Sequence, residues 1–375
     1  MLLNTYAPPF KLVGGYFIAG IFFLALSVPA FFYADFDAIS SLNTAGFLHI
    51  FFVGFVMSII IGALYQLTSV ILEKPFFTAK GAILNLAIFC LSLLGMCYGM
   101  LFAEAKILQI SGVLLFCSLA FFATTYALSF MDNEKKSFAA FTLFVSAIFL
   151  IIGITLGFCL LMILSGTLML DFEMTLKFHV YFVLGFVFLV ILGAASVLLP
   201  MFALAHDLKF TLSKASLACY ILGGILLAFN ENLSILSICL AALLFIAQAL
   251  YILKKRVRKA YDYWNVNIVL SLVALLGLFA FIAAHLYKIA PFLIWYHYVA
   301  PFVGKVKVPL LDAMILKKIA YFGIAFNAVS LLCYLLSTCF ELEILVQASM
   351  MFIALSIVLL SINIINIFRF TGFKG

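Results

Sequence analysis

The sequence predicts an all-α fold, a polytopic transmembrane helix bundle of eleven or twelve spans. Apolar residues make up 68% of the 375 residues and charged residues 9%, against roughly 25% charged in a soluble globular domain. Uncharged runs recur along the whole chain, and a run of about 20 apolar residues is long enough for one span. Charged residues fall in the short interruptions, with the basic ones concentrated on alternate loops. The chain reads as a single integral membrane domain, 1–375, of a bacterial cell inner membrane.

The first span is about 12–33. It follows Lys11 and has no small-residue cleavage site, so it reads as a span and not as a signal peptide. Spans two to five are expected at about 47–72, 81–103, 108–130 and 138–168, and spans six to nine at about 178–205, 215–229, 233–253 and 265–286. Twelve basic residues lie on one set of loops, namely Lys11, Lys74, Lys80, Lys135, Lys136, Lys209, Lys214 and the five of Lys254–Lys259. The opposite loops up to residue 263 carry only Lys106 and Lys177. The positive-inside rule then puts the N-terminus in the cytoplasm. The stretch 288–305 is apolar and aromatic but interrupted by Pro291 and Pro301, as expected of an interfacial or re-entrant segment. Spans at about 314–338 and 344–366 complete the chain, and whether 286–303 recrosses decides between eleven and twelve.

Spans two and six carry a doubled pattern. His49 is followed by Gly54-Phe55 and Gly62-Ala63, and His179 by Gly185-Phe186 and Gly193-Ala194. The interval from histidine to first glycine is five residues in one copy and six in the other. On the topology above, both helices run from outside to inside, so His49 and His179 share a depth near the outer face. A histidine inside a span is costly and is expected to face the bundle interior with a partner. Two readings stand for each: an interfacial residue hydrogen-bonded to a neighbouring backbone, or a cofactor or metal ligand. The doubled context favours ligation, and imidazole is the usual axial ligand of a b-type haem. The glycines suit close helix approach or a flat macrocycle against the backbone.

The remaining histidines rank lower. His285 sits near the outer end of span nine, at a depth compatible with the pair, and serves as a reserve cofactor ligand. His297, in Trp295-Tyr-His-Tyr298, is either a member of an aromatic belt or a cofactor contact. His206 ends span six on the other side, about 40 Å of helix from His179. Tyr65 and Gln66 lie deep in span two and are expected to face inward. Lys305 and Lys307 suit haem propionates or lipid headgroups. The eight cysteines include no Cys-x-x-Cys and read as packing residues. No Walker loop, dinucleotide fingerprint, His-Glu-x-x-His or nucleophile elbow is present, and no catalytic residue is assigned. The net charge of +7 reflects membrane topology, not a nucleic-acid partner.

His49 with Gly54-Phe-Val-Met57 and Gly62-Ala-Leu-Tyr65 resembles the low-spin haem helix of haem–copper oxidase subunit I, nearest to the cbb3-type branch and its smaller relatives. His179 through Leu-Leu-Pro200 resembles the same superfamily's helices and those of the NnrS group of membrane haem and copper proteins. Pro291 to Tyr298, with Gly304-Lys-Val-Lys-Val-Pro309, resembles a stretch of small oxidase-like membrane proteins. The resemblance covers about 48–205 and 288–312. It implies a haem–copper-oxidase-subunit-I-like bundle, with His49 at the low-spin haem position and His179, by span count, on the helix that supplies one copper ligand. An oxidase needs six such histidines, whereas this chain has five in all and no His-His pair in span seven. The expectation is therefore haem b without an oxidase centre, in electron transfer, sensing or a gas-related role. The implied partners are membrane lipid, a quinol or cytochrome electron donor, and a membrane subunit partner or second copy. A transporter, or a non-catalytic subunit or assembly factor of a respiratory or metal pathway, are the alternatives.

Overall fold

A computed structural model describes residues 8–35, 41–131, 137–257, 295–303, 308–309, 311–340 and 343–372. Among them the regular structure is helical, and eight helices are long and apolar enough to cross a membrane. The all-α, multi-spanning bundle is thus as expected. The span expected at about 265–286 lies outside the described residues. The chain divides into two compact units, 1–259 and 260–375.

The first unit contains α1 (Phe10–Phe31), α2 (Leu42–Leu48), a π-helical segment (His49–Met57), α3 (Ser58–Leu72), α4 (Ala82–Leu101), α5 (Ala105–Leu128), α6 (Phe138–Leu164), α7 (Phe172–Ala203), α8 (Thr211–Leu227) and α9 (Glu231–Lys254). The α2, π and α3 segments form one continuous 31-residue span. Short polar residues start four of these helices. Ser41, Ser137, Asp171 and Asn230 each accept a hydrogen bond from the backbone N–H three residues on, which satisfies one of the free donors at a helix start. Large apolar side chains such as Leu84, Leu91, Phe141, Leu236 and Leu243 are exposed. On the outside of a membrane bundle that is the surface lipid covers.

Helices pair in the same order around the two histidine-bearing spans. The α1 helix packs along span two, and α6 along α7. In each copy the next helix, α4 or α8, packs on the histidine-bearing span, and the one after pairs with it, as α4 with α5 and α8 with α9. The unit is thus two consecutive sets of four helices.

The glycines do the same work in both sets. A Cβ on Gly54 would lie 2.6 Å from a ring carbon of Phe23 in α1, and one on Gly62 3.1 Å from Cβ of Tyr16. A Cβ on Gly185 would lie 2.6 Å from Phe149 in α6, and one on Gly193 3.0 Å from Leu143. Each histidine-bearing helix is therefore pressed against its predecessor through two glycines, the close approach expected of small residues at membrane helix interfaces. Of the two readings for these glycines, the structure supplies close packing. Both helices also end alike, on a non-glycine residue in the left-handed region, Glu73 with φ 52° and Leu204 with φ 51°. Spans two and six are the most buried of the unit, at 67% and 61% of their apolar windows, against 33–56% for its other long spans.

The second unit contains a short π turn (Trp295–Val299), a 3-10 turn (Leu311–Met314), α10 (Lys317–Phe340) and α11 (Glu343–Phe368). The helices pair through small polar residues. Ser330 donates to the carbonyl of Ser349 at 2.8 Å, and Ser356 to that of Gly323 at 3.1 Å. Asn363 accepts from the N–H of Leu316 at 2.9 Å, and Asn366 donates to the carbonyl of Met314 at 3.0 Å. These two side chains satisfy backbone that the helix start leaves open.

Two classes of substitution separate the constraints. Gly54→Ala and Gly185→Ala each place a methyl inside van der Waals contact and are expected to destabilise the bundle by about 1–3 kcal/mol. Leu204→Gly removes the left-handed strain and is expected to stabilise by about 1 kcal/mol. Thermal unfolding of the detergent-solubilised chain measures both, and a neutral Gly54→Ala would contradict the packing described here.

Candidate functional site

His49 and His179 lie at matching positions. Each is seven residues from the first residue of its span, from Leu42 to His49 and from Phe172 to His179, which is about 10 Å along the helix. The spans that carry them touch, α3 of span two against α7. Both are enclosed by the bundle without being sealed, since each keeps some accessible surface.

Their hydrogen bonds fix the chemistry they present. Nδ1 of His49 lies 2.7 Å from the carbonyl of Ala45, and Nδ1 of His179 lies 2.9 Å from the carbonyl of Gly153. A carbonyl only accepts, so each Nδ1 carries the proton. A neutral ring with Nδ1–H has its lone pair on Nε2. This is the arrangement by which a backbone carbonyl orients a ligating imidazole and sets its tautomer. Of the two readings for these residues, hydrogen bonding to neighbouring backbone is what the structure contains. Among the described residues Nε2 of each ring has no hydrogen-bond partner.

The two anchors differ. His49 bonds within its own helix, four residues back, at the point where the α-helix becomes π-helical. A π segment of nine residues is unusual, since π turns occur mostly singly and often at functional sites. His179 reaches across to α6. Its ring lies on Gly157, where a Cβ would stand 2.8 Å from the ring carbon and 3.2 Å from Nδ1. Gly153 and Gly157 form a Gly-x-x-x-Gly step on α6, and the second glycine opens the path to the carbonyl of the first. Sequence reasoning passed over both. The four-residue spacing of glycines in an apolar run is the signal that marks them. Two residues before His179, Lys177 pairs with Glu173 at 3.0 Å and Glu231 at 2.9 Å, which ties the starts of α7 and α9 together.

The other expected residues do not join this pair. His206 is exposed, in the turn beyond α7. His285 lies outside the described residues. His297 falls in the π turn of the second unit. Tyr65 and Gln66 are buried as expected, and the Tyr65 hydroxyl and the Gln66 carbonyl oxygen have no hydrogen-bond partner. Of the described cysteines only Cys97 is fully buried, while Cys117 and Cys239 face outward, so packing accounts for fewer of them than expected. Among the described residues no group of three or more His, Cys, Asp or Glu side chains is placed to hold a metal ion.

Comparison with protein-family models, with characterised proteins and with solved structures finds no match to this chain. The all-α polytopic bundle therefore stands on its own structure, and the likeness to haem–copper oxidase subunit I rests on the quoted motifs alone.

The tautomers are directly measurable. Nitrogen-15 NMR of histidine-labelled, cofactor-free protein is expected to show Nδ1-protonated rings for His49 and His179. Gly157→Val pushes the His179 ring off α6, so the His179 signal is expected to change while that of His49 stays. Protonation at Nε2 in the wild type would contradict the assignment.

Proposed function

We propose that the chain is an integral membrane protein that holds a b-type haem between spans two and six, with Nε2 of His49 and Nε2 of His179 as axial ligands. The observation that supports it is the pair itself. Two imidazoles at equal depth on the two most buried spans of the first unit each commit Nδ1 to a carbonyl and leave Nε2 free. That donor set fits a haem iron, whose equatorial positions the macrocycle fills, better than a bare ion such as zinc, which takes three or four protein donors. A haem with two imidazole ligands supplies one-electron redox chemistry in a low-spin state. The chain's own part is to orient the rings: Ala45 and Gly153 hold the Nδ1 protons, and Gly157 leaves room for the His179 ring. Electron transfer or sensing is the role we infer, with a quinol or a cytochrome as donor and a membrane subunit or a second copy as partner.

A second reading has one observation in its favour. Parallel repeats with a site at their junction are common in transporters, and the two four-helix sets meet that description. An absorption spectrum of the purified full chain with haem quantitation separates the readings. Haem at about one per chain and a low-spin Soret band are expected. His49→Ala and His179→Ala are each expected to lose most of the haem while eluting as the wild type does. A wild type without stoichiometric haem ends the haem proposal, and flux of a solute in vesicles would then favour transport. Full occupancy and an unchanged spectrum in both variants would overturn the ligand assignment.

A further inference from the structure

We propose that the first unit carries a binding site for an anionic phospholipid at the end of the bundle opposite its histidine pair. The end of α5, the start of α6 and the start of α8 border an open groove of about 850 Å³, within the size range of ligand pockets. Its walls are almost wholly apolar, formed by side chains that include Phe130, Phe141, Leu217 and Ile221. Phe141 is 58% exposed and Ile221 38%, so the groove opens on the lipid side.

One cation stands in this wall. Lys214 lies in the first turn of α8 and lines the groove. Among the described residues its ammonium group has neither a hydrogen-bond nor an ion-pair partner. A second cation is close by, because Lys74 donates from Nζ to the carbonyl of Met131, itself a groove residue. The groove also reaches the start of α6, at Ser137 and Phe138. Helix starts carry partial positive charge. An apolar trough that ends at an ammonium group and a positive helix end matches an acyl chain that ends in a phosphate. Basic pockets between membrane helices recognise lipid headgroups by this chemistry. The occupant is thus a phospholipid with a net negative headgroup, and phosphatidylglycerol is the probe. The site uses neither histidine, so it stands or falls apart from the haem proposal.

Thermal unfolding of the full chain in mixed micelles tests it, with phosphatidylglycerol, phosphatidylcholine and inorganic phosphate as three separate additions. Wild type is expected to gain more Tm from phosphatidylglycerol than from phosphatidylcholine, and nothing from inorganic phosphate. Lys214→Gln removes the cation and is expected to bind phosphatidylglycerol roughly fivefold more weakly. Ala218→Trp fills the trough and is expected to abolish the preference. Equal gains from the two lipids in wild type overturn the proposal without recourse to any variant. So does a gain from inorganic phosphate that matches the lipid's, which would mean an anion site and no lipid site. Full retention of the preference in either variant overturns the placement in this groove.

Discussion

Close approach of helix backbones at glycine is the constraint on which the first unit depends. Gly54 and Gly62 bring span two onto α1, and Gly185 and Gly193 bring α7 onto α6. Without a hydrophobic drive between helices in lipid, van der Waals contact and interhelical hydrogen bonds hold such pairs together. The same constraint reaches the candidate site. Nδ1 of His179 bonds to the Gly153 carbonyl of α6 only because Gly157 carries no side chain where the ring lies. A larger residue at 157 would occupy the volume of the ring.

The buried polar groups follow from that packing. In lipid every donor needs a partner inside the protein, and backbone carbonyls are the acceptors that a helix pair offers in number. Ser216 and Ser234 donate to carbonyls of the helix opposite, and Tyr181 and Tyr220 donate to each other's backbone. His49 and His179 solve the same problem with one nitrogen each. What distinguishes them from the serines and tyrosines is the second nitrogen, which has no partner among the described residues. A residue placed only for packing has no need of a second basic atom, and that is the physical reason the pair is the candidate site.

The two four-helix sets are alike in their glycines and unlike in their histidine anchors. The intervals of five and six residues from histidine to glycine place the two rings at different angles around their helices, and the π segment after His49 changes the angle further. One ring therefore bonds its own helix and the other its neighbour. The groove at the other end lies where α5 of the first set meets α6 and α8 of the second, so the junction between the sets shapes that feature too.

The bundle itself was legible in the sequence, because the length of an apolar run and the cost of a charge in lipid are properties of the chain alone. The spans from Phe10 to Lys254 fall within a few residues of their expected places except the second and sixth, whose helices begin five or six residues earlier. Caps explain that difference: Ser41 and Asp171 start those helices in polar sequence that hydropathy does not count. The doubled histidine motif and its common depth were also legible, since both follow from spacing and span direction. Three features belong to tertiary structure. The carbonyl partner of His179 is 26 residues away, and no spacing rule names it. The common order in which helices pair around the two histidine-bearing spans appears only in the packing. The trough around Lys214 is made by three helices that meet at one end. Sequence by itself determined that the chain is a bundle of apolar helices and where along two of them the histidines fall, while the eleven or twelve spans it led one to expect compare with eight helices long and apolar enough to cross a membrane among the described residues. Only packing decided what each ring touches, because a hydrogen bond depends on a distance between helices that the sequence of neither helix contains.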